Sequence, residues 1–243
     1  MAEIMDHPDG RWEIAGVDAD AARGFLETHA PWRMELSFHG GPKASDFETF
    51  QPFNARPLRK LHVLMGQADL PDRPAVLDVG FNCGYNSLYC ASRLGSAVTG
   101  LDVSRKNKAV ADGLADLIGV EAEFLLENAE DFERADAYDL ALHFGTLYHL
   151  PNPLRSIEKT AKSLRKGGLF ALETIRYTGD PRQAKWIWMF NGDKTNFWAL
   201  GDEVLSEQFQ RCGLSTLELI ENVEIKAYEG EHMSRATWIA RKL

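Results

Sequence analysis

The stretch Val76-Leu77-Asp78-Val79-Gly80-Phe81-Asn82-Cys83-Gly84-Tyr85-Asn86 decides the fold of this 243-residue chain. Apolar residues lead up to the carboxylate of Asp78, which is typical of a buried parallel strand that ends at a polar edge. A loop with two glycines follows, and residues 87–94 then open a helix that Gly95 can close. A strand, a glycine loop and a helix N-terminus predict a nucleotide site at the carboxyl end of a sheet.

Composition is that of a soluble globular protein, with 44% hydrophobic and 26% charged residues. The length suits one α/β domain with an appendage. No apolar run is long enough to span a membrane, and residues 1–6 lack the features of a signal peptide, so we expect a cytoplasmic protein without a membrane partner. The 3 cysteines lack metal-ligand spacing, so neither a disulfide framework nor a metal site is predicted.

The net charge of −9 weighs against an extended phosphate-binding surface. A nucleic-acid partner is therefore possible but not favoured, and a small-molecule substrate is preferred. Local basic clusters occur at residues 56–60 and 159–166. The second lies toward the end of a predicted helix, where cations complement the helix dipole, so a solvated face is the favoured interpretation. The oligomeric state is left open.

Residues 1–72 are predicted to form an N-terminal helical cap on the substrate side, and residues 73–243 the core. Helices are predicted over 18–29, with Asp18 as N-cap, and over 56–67. A short strand is predicted over 32–38, before glycines and a proline break the chain. The role of this cap is not defined by its sequence.

From residue 75 onward strands and helices alternate, which predicts a doubly wound parallel sheet. Ser104 and Gly119 are expected to bound one helix, and another is expected to run from Pro153 to Gly167. The predicted strands cover 75–78, 97–102, 123–126, 138–144 and 169–175, followed by a helix over 202–212 and an antiparallel pair over 214–226 and 234–241.

Asp102 ends the second predicted strand and lies close to the offset of about 20 residues after Asp78 at which a strand-end acid meets ribose hydroxyls. A simple helix-entry acid is the alternative interpretation. Together with the glycine loop, the ribose role is favoured.

The spacing Asp-x-Gly-x-x-x-Gly of residues 78–84 resembles the first motif of class I S-adenosylmethionine (SAM)-dependent methyltransferases. Asn82 stands where that family commonly has a glycine, and Asn is the residue that next best tolerates positive φ. The stretches Gly145-Thr146-Leu147-Tyr148-His149 and Thr195-Asn196-Phe197-Trp198 resemble a narrower branch. It comprises methyltransferases related to the bacterial tRNA wobble-uridine carboxymethyltransferase, and the similarity spans roughly residues 75–213.

This resemblance implies a Rossmann-like, doubly wound α/β fold whose seven-stranded, mostly parallel sheet ends in an antiparallel hairpin. It implies SAM as the cofactor. The residues implied to bind SAM are Asp78, Gly80, Asn82, Cys83, Gly84, Asp102, Val103, Asn128, Ala129, Phe144 and Thr146. For Cys83 a small buried residue without chemical involvement is the favoured interpretation.

Tyr148 and His149 are the candidate catalytic residues, and Asn196 and Trp198 the candidate substrate-binding residues. An aromatic face near a sulfonium cation is favourable, and a proton-bearing acceptor needs a base. His149 is the nearest base, with His143 a poorer candidate. A structural hydrogen bond at a helix entry is the alternative role for His149.

The leading expectation is methyl transfer from SAM to a small-molecule acceptor. Three alternatives are a tRNA-modifying enzyme of the wobble-uridine type, an enzyme that cyclises SAM and releases methylthioadenosine, and a non-catalytic SAM-binding module. Their products distinguish them: S-adenosylhomocysteine (SAH), methylthioadenosine or neither. The acceptor atom itself is not predicted.

Overall fold

A computed structural model describes residues 2–32, 34–47, 56–224 and 230–243 of the chain. Its helices are α1 (Ala19–His29), α2 (Arg59–Met65), α3 (Tyr85–Arg93), α4 (Arg105–Ile118), α5 (Pro153–Ser163) and α6 (Asp202–Arg211). Its strands are β1 (Glu3–Asp6), β2 (Trp12–Ala15), β3 (Ser37–Phe38), β4 (Val76–Val79), β5 (Val98–Asp102), β6 (Glu123–Leu126), β7 (Tyr138–Phe144), β8 (Leu164–Tyr177), β9 (Ala184–Trp186), β10 (Trp198–Leu200), β11 (Glu218–Val223) and β12 (Met233–Arg241).

The larger sheet is nine-stranded, with the order β11-β12-β8-β7-β4-β5-β6 along its main path. Strands β4 to β8 pair in parallel, whereas β12 runs antiparallel between β8 and β11. The short strands β9 and β10 extend the sheet beside the end of β8. The predicted fold class, with its seven-stranded path and antiparallel terminal hairpin, is confirmed, and β9 and β10 are additional.

Helices cover both faces of this sheet. The apolar sides of α3 and α4 pack with Val76 and Phe124 in one core cluster, and those of α5 and α6 pack with Leu77 and Phe170 in another. Because successive strand residues point to opposite faces, neighbours such as Val76 and Leu77 serve different cores. The parallel strands therefore need near-continuous apolar sequence, and their carboxyl ends meet at one edge of the sheet.

The N-terminal segment contains a three-stranded sheet, β1-β2-β3, as well as helices. The predicted N-terminal helical cap therefore also contains a sheet, of which only the third strand was predicted, because β1 and β2 are too short to show a clear alternation. Among the described residues of the strand predicted over 32–38, Ser37–Phe38 alone form a strand, since the buried Trp32 instead donates its indole N–H to the Leu26 carbonyl near the end of α1. The predicted helix over 56–67 forms across Arg59–Met65. The division after residue 72 stays a prediction.

Helix α5 ends at Ser163, before the predicted stop at Gly167. The carbonyls of Lys162 and Ser163 accept hydrogen bonds from the amides of Asp136 and Ala137, just before β7, so the helix terminates there with its last acceptors satisfied. Leu164 then starts β8, and Gly167, at φ +82°, lies in an irregularity of its pairing with β7. Among the described helices, none has the length and apolar character needed to cross a membrane.

The loop after β4 packs directly on the loop after β7. Gly80 has φ +77°, and a Cβ atom placed there would lie only 2.9 Å from Cβ of Thr146 and closer still to its Oγ1. The Thr146 hydroxyl donates to the Val79 carbonyl over 3.1 Å. Gly80 is therefore required by the contact between two loops as well as by its own backbone conformation.

Replacing Gly80 by Ala is expected to destabilise the fold more than the matched change at Gly119, which has φ +70° but open space around it. Gly119→Ala carries only the left-handed backbone cost of about 1–2 kcal/mol. Gly80→Ala adds an overpacking cost of about 1–3 kcal/mol against Thr146. Urea unfolding of the two variants measures this difference, and equal losses would show that the loop contact is unimportant.

Candidate active site

Asp78, at the end of β4, lies beneath the glycine loop with only 1% of its surface exposed. Ser87 in α3 donates its hydroxyl to Asp78 Oδ2 over 2.6 Å. Burial raises the pKa of Asp78 to about 6, against the lowering effect of the Ser87 hydrogen bonds. The carboxylate thus fastens the start of α3 to the strand end and shapes the loop from below.

The loop itself has the left-handed residues that its motif requires. Asn82 has φ +53° and Gly84 has φ +83°, so Asn takes the place of the family's middle glycine without a change of backbone conformation. The Cys83 thiol donates to Asn82 Oδ1 over 3.2 Å. Burial raises the pKa of Cys83 to about 12, which keeps the thiol protonated and favours a structural role.

Asp102 faces the loop from the end of β5. Its Oδ2 accepts from the Asn82 amide at 3.0 Å and from Asn107 Nδ2 at 3.0 Å, while Oδ1 accepts from the Ser104 amide at 2.8 Å. A carboxylate offers about four acceptor positions, so one on Oδ1 is left for a ligand hydroxyl. The helix-entry role and the ribose role are therefore compatible in the same side chain.

Two apolar side chains stand open beside Asp102. Val103 is 73% exposed and Leu126 is 41% exposed, and Leu126 is the strand partner of Asp102. Beyond them Ala129 is buried, and Asn128 accepts the Glu130 amide at Oδ1 over 3.0 Å. This apolar surface next to a carboxylate suits an adenosine group, and Leu126 is a candidate for it that the sequence reasoning did not single out.

The end of β7 leads from the buried Phe144 to Tyr148 and His149, which lie in a short 3-10 helix, Leu147–His149. The two rings have centroids 4.1 Å apart. Nδ1 of His149 lies 3.0 Å from the carbonyl oxygen of Thr195, and burial lowers the pKa of this imidazole. Through Thr146 this segment is held against the end of β4, so both candidate catalytic residues lie at the same sheet edge as the glycine loop.

His143 is not part of this site. It is fully buried, its Nε2 lies 3.0 Å from the Ser156 hydroxyl in α5, and burial lowers its pKa to about 3. The suggestion that it is a second candidate base is therefore wrong, because β7 turns this side chain into the core beneath α5.

A buried charge cluster lies over Gly145 and was missed by the sequence analysis. Glu173 in β8 accepts from Arg235 of β12 and from Lys60 of α2, each at 2.8 Å. Although burial alone would raise it, the two cations lower the pKa of Glu173 to about 2. Arg235 also donates to the Tyr148 hydroxyl over 3.3 Å, and its guanidinium carbon lies 5.1 Å from the ring centroid. The signal was the one charged side chain in the otherwise uncharged, mostly apolar stretch 169–175.

The segment between β9 and β10 brings the candidate substrate residues to the same place. The Phe197 amide donates to the Tyr148 carbonyl over 2.8 Å, and Trp198 donates its indole N–H to Pro151 over 3.2 Å. Asn196 is buried, and within the described ranges its Oδ1 has no hydrogen-bond partner. A buried acceptor without a partner beside Tyr148 is suited to bind a ligand N–H or O–H group.

The structure thus gathers an acidic strand end, a glycine loop, an exposed apolar pair and an aromatic–imidazole pair at one sheet edge. A family described as "Methyltransferase domain" matches residues 47–219. The chain belongs to this methyltransferase family. In the described part of the chain no cluster of His, Cys, Asp and Glu side chains has the arrangement of a metal site.

Curated relatives of this methyltransferase include two kinds of enzyme. A tRNA U34 carboxymethyltransferase of Shewanella halifaxensis is 28% identical over 60% of this chain and 45% of its own length. A ubiquinone biosynthesis O-methyltransferase of Paramagnetospirillum magneticum is 33% identical over 42% of this chain and 41% of its own. The chain therefore spans less than half the length of either relative.

Among solved structures, the N-terminal domain of EvdMO1, crystallised in the presence of SAH and D-fucose, has a TM-score of 0.73 at 16% identity. The structural match covers 93% of this chain and 97% of that domain. The predicted family, the fold class and SAM as the cofactor are thereby confirmed. The individual site residues stay predictions.

Protonation of Asp78 is expected to make the fold more stable in mild acid. The unfolded pKa is near 3.8 and the folded one about 6, so this contribution is full below pH 4 and is lost as the pH rises through 6. The shift corresponds to about 3 kcal/mol. Urea unfolding at pH 4.5 and 7.5 measures it, with Asp78→Asn as the variant that lacks it and the exposed Asp116→Asn as control. Identical pH dependence in wild type and Asp78→Asn would contradict the assignment.

Proposed function

We propose that this methyltransferase transfers the methyl group of SAM to an oxygen or nitrogen of a small-molecule acceptor. The observation that carries the proposal is the position of Tyr148 and His149, held against the glycine loop by the Thr146–Val79 hydrogen bond. When bound, SAM supplies an electrophilic methyl group on a sulfonium centre. Side chains of this protein would bind the cofactor, orient the acceptor and accept its proton.

The cofactor-binding part of the proposal rests on the loop of residues 80–84, Asp102 and Val103. Asp102 keeps one acceptor position for a ribose hydroxyl, and Val103 offers an open apolar face to an adenine ring. Phe144, Thr146, Asn128 and Ala129 line the adjoining strand ends. Asp78, wholly covered, would act by shaping the loop.

The acceptor-binding part of the proposal involves Tyr148, His149, Asn196 and Trp198. Positioning the acceptor in line with the methyl group can supply much of the rate. The half-buried His149 has a lowered pKa, so its imidazole is neutral near pH 7 and able to take a proton. Tyr148 presents its ring, already beside the Arg235 cation, to a second positive centre.

A small-molecule acceptor is favoured because five of the seven basic residues in the two sequence clusters are paired with carboxylates. Lys159 pairs with Glu133, Lys162 with Glu158 and Arg165 with Asp139. Arg59 pairs with Glu221 and Lys60 with Glu173. Together with the net charge of −9, this leaves little cationic surface for phosphates. The second candidate, tRNA modification, is supported by the 28% identical U34 carboxymethyltransferase.

We also propose a cytoplasmic location. Cys83, Cys90 and Cys212 are all free thiols, which fits a reducing compartment.

SAM affinity is expected to fall about 10- to 100-fold in Asp102→Asn, because a hydrogen bond to a charged group contributes about 1.5–3 kcal/mol. Calorimetric titration with SAM and SAH measures it, with Asp116→Asn as a control of equal charge change in the next helix. Wild-type affinity in a folded Asp102→Asn protein would remove Asp102 from the site. Failure of the wild type to bind either ligand would overturn the proposal.

Incubation with SAM and a set of phenols, catechols and ring N–H heterocycles is expected to yield SAH and a methylated product by mass spectrometry. His149→Gln should lower kcat by about 10²–10⁴-fold at unchanged SAM affinity, because only proton transfer is lost. SAH formed only with added tRNA would favour the second candidate. Methylthioadenosine formed without any acceptor would indicate SAM cyclisation, and no product at all would indicate a binding module.

A further inference from the structure

We infer that Asp193 and Thr195 are positioning residues that hold His149 in its Nδ1–H tautomer and leave Nε2 to take a proton from a neutral hydroxyl or ring N–H acceptor. This inference rests on the proposed function and deepens it by naming the acceptor class. It concerns a contact between two segments 46 residues apart in the sequence.

The partners of His149 Nδ1 determine where the imidazole proton lies. Nδ1 is 3.0 Å from the backbone carbonyl oxygen of Thr195, and a carbonyl can only accept. Nδ1 is also 3.0 Å from the Thr195 hydroxyl oxygen. That hydroxyl donates its own proton to Asp193 Oδ1 over 2.6 Å, so toward the imidazole it too can only accept. Both partners require a proton on Nδ1.

The segment that supplies these acceptors is itself held in place. Asp193 Oδ1 accepts the Thr195 amide over 2.8 Å as well as the Thr195 hydroxyl, and the Asp193 amide donates to the Phe190 carbonyl over 3.2 Å. Two residues further on, the Phe197 amide donates to the Tyr148 carbonyl over 2.8 Å. The turn is therefore fastened to the backbone of the residue that precedes His149, which fixes the ring orientation.

A neutral imidazole with its proton on Nδ1 carries its lone pair on Nε2. In the proposed step the O–H or N–H bond of the acceptor breaks, the proton bonds to Nε2, and the electron pair stays on the acceptor atom. The imidazolium that forms is stabilised by the Asp193 carboxylate through the Thr195 hydroxyl. Charges that face His149 are Asp193, which raises its pKa, and Arg235, which lowers it.

The arrangement around His149 indicates which classes of acceptor require a base. A carboxylate is already ionised near pH 7 and gains nothing from a base. A phenol, a sugar hydroxyl or a ring N–H keeps its proton at that pH and does gain from one. We therefore assign the acceptor to the second class.

The tautomer is tested directly by long-range ¹H–¹⁵N spectra of the ¹⁵N-labelled full chain, with the His149 signals identified by their loss in His149→Gln. We expect a proton-bearing Nδ1 and an unprotonated Nε2 in the wild type. Asp193→Asn keeps an acceptor oxygen but removes the charge, so the titration midpoint of His149 should move to lower pH. A proton on Nε2 in the wild type, or an unmoved midpoint in Asp193→Asn, overturns the inference.

Kinetic measurements distinguish a positioning role of Thr195 from a purely structural one. Thr195→Val should lower kcat roughly three- to tenfold with unchanged SAM affinity, because one hydrogen bond to the imidazole is lost. Thr195→Ser retains the hydroxyl and should restore the rate. Equal rates in Thr195→Val and the wild type would overturn the positioning role. Methyl transfer to thiols alone, or to no acceptor, would overturn the proposed function while the Nδ1–H tautomer persists in the spectra.

Discussion

The contact between Gly80 and Thr146 is the constraint on which the site depends. β4 and β7 are neighbours in the sheet, yet their loops could leave the edge in different directions. Because Gly80 has no Cβ, the two loops can pack closely, and the hydrogen bond from Thr146 to Val79 holds them in contact. The glycine loop and the Tyr148–His149 pair therefore lie at one sheet edge, where the turn of residues 193–197 also holds His149.

Two buried carboxyl groups near this edge have pKa values that are shifted in opposite directions, because their surroundings differ. Asp78 is covered without a cation close enough to offset burial, and its pKa rises to about 6. Glu173 is equally covered but lies between Lys60 and Arg235, and its pKa falls to about 2. One carboxyl group is thus able to change its protonation near neutrality, while the other is a permanent anion that orders two cations and, through Arg235, Tyr148.

Much of the fold followed from sequence, because the alternation of apolar strands and capped helices is local information. Asp18 and Ser104 cap their helices as predicted, and the loop of residues 80–84 has the expected backbone. Contacts between distant segments did not follow. The partners of Glu173 lie on α2 and β12, and those of His149 lie on a turn with no regular pattern, so no periodicity in the chain marks them. Likewise, β8 begins at Leu164 because of tertiary pairing, although the sequence favours a longer helix.

The ion pair between Glu173 and Arg235 can form only late in synthesis on the ribosome, because Arg235 is made after Glu173. The two residues are 62 positions apart, so at synthesis rates of about 5–20 residues per second Glu173 is made several seconds before this partner. During that interval an anion in the middle of an apolar strand favours water over burial. Lys60, however, is already made by then and can pair with Glu173, and the edge of β8 gains its antiparallel neighbour and the second cation when β12 arrives.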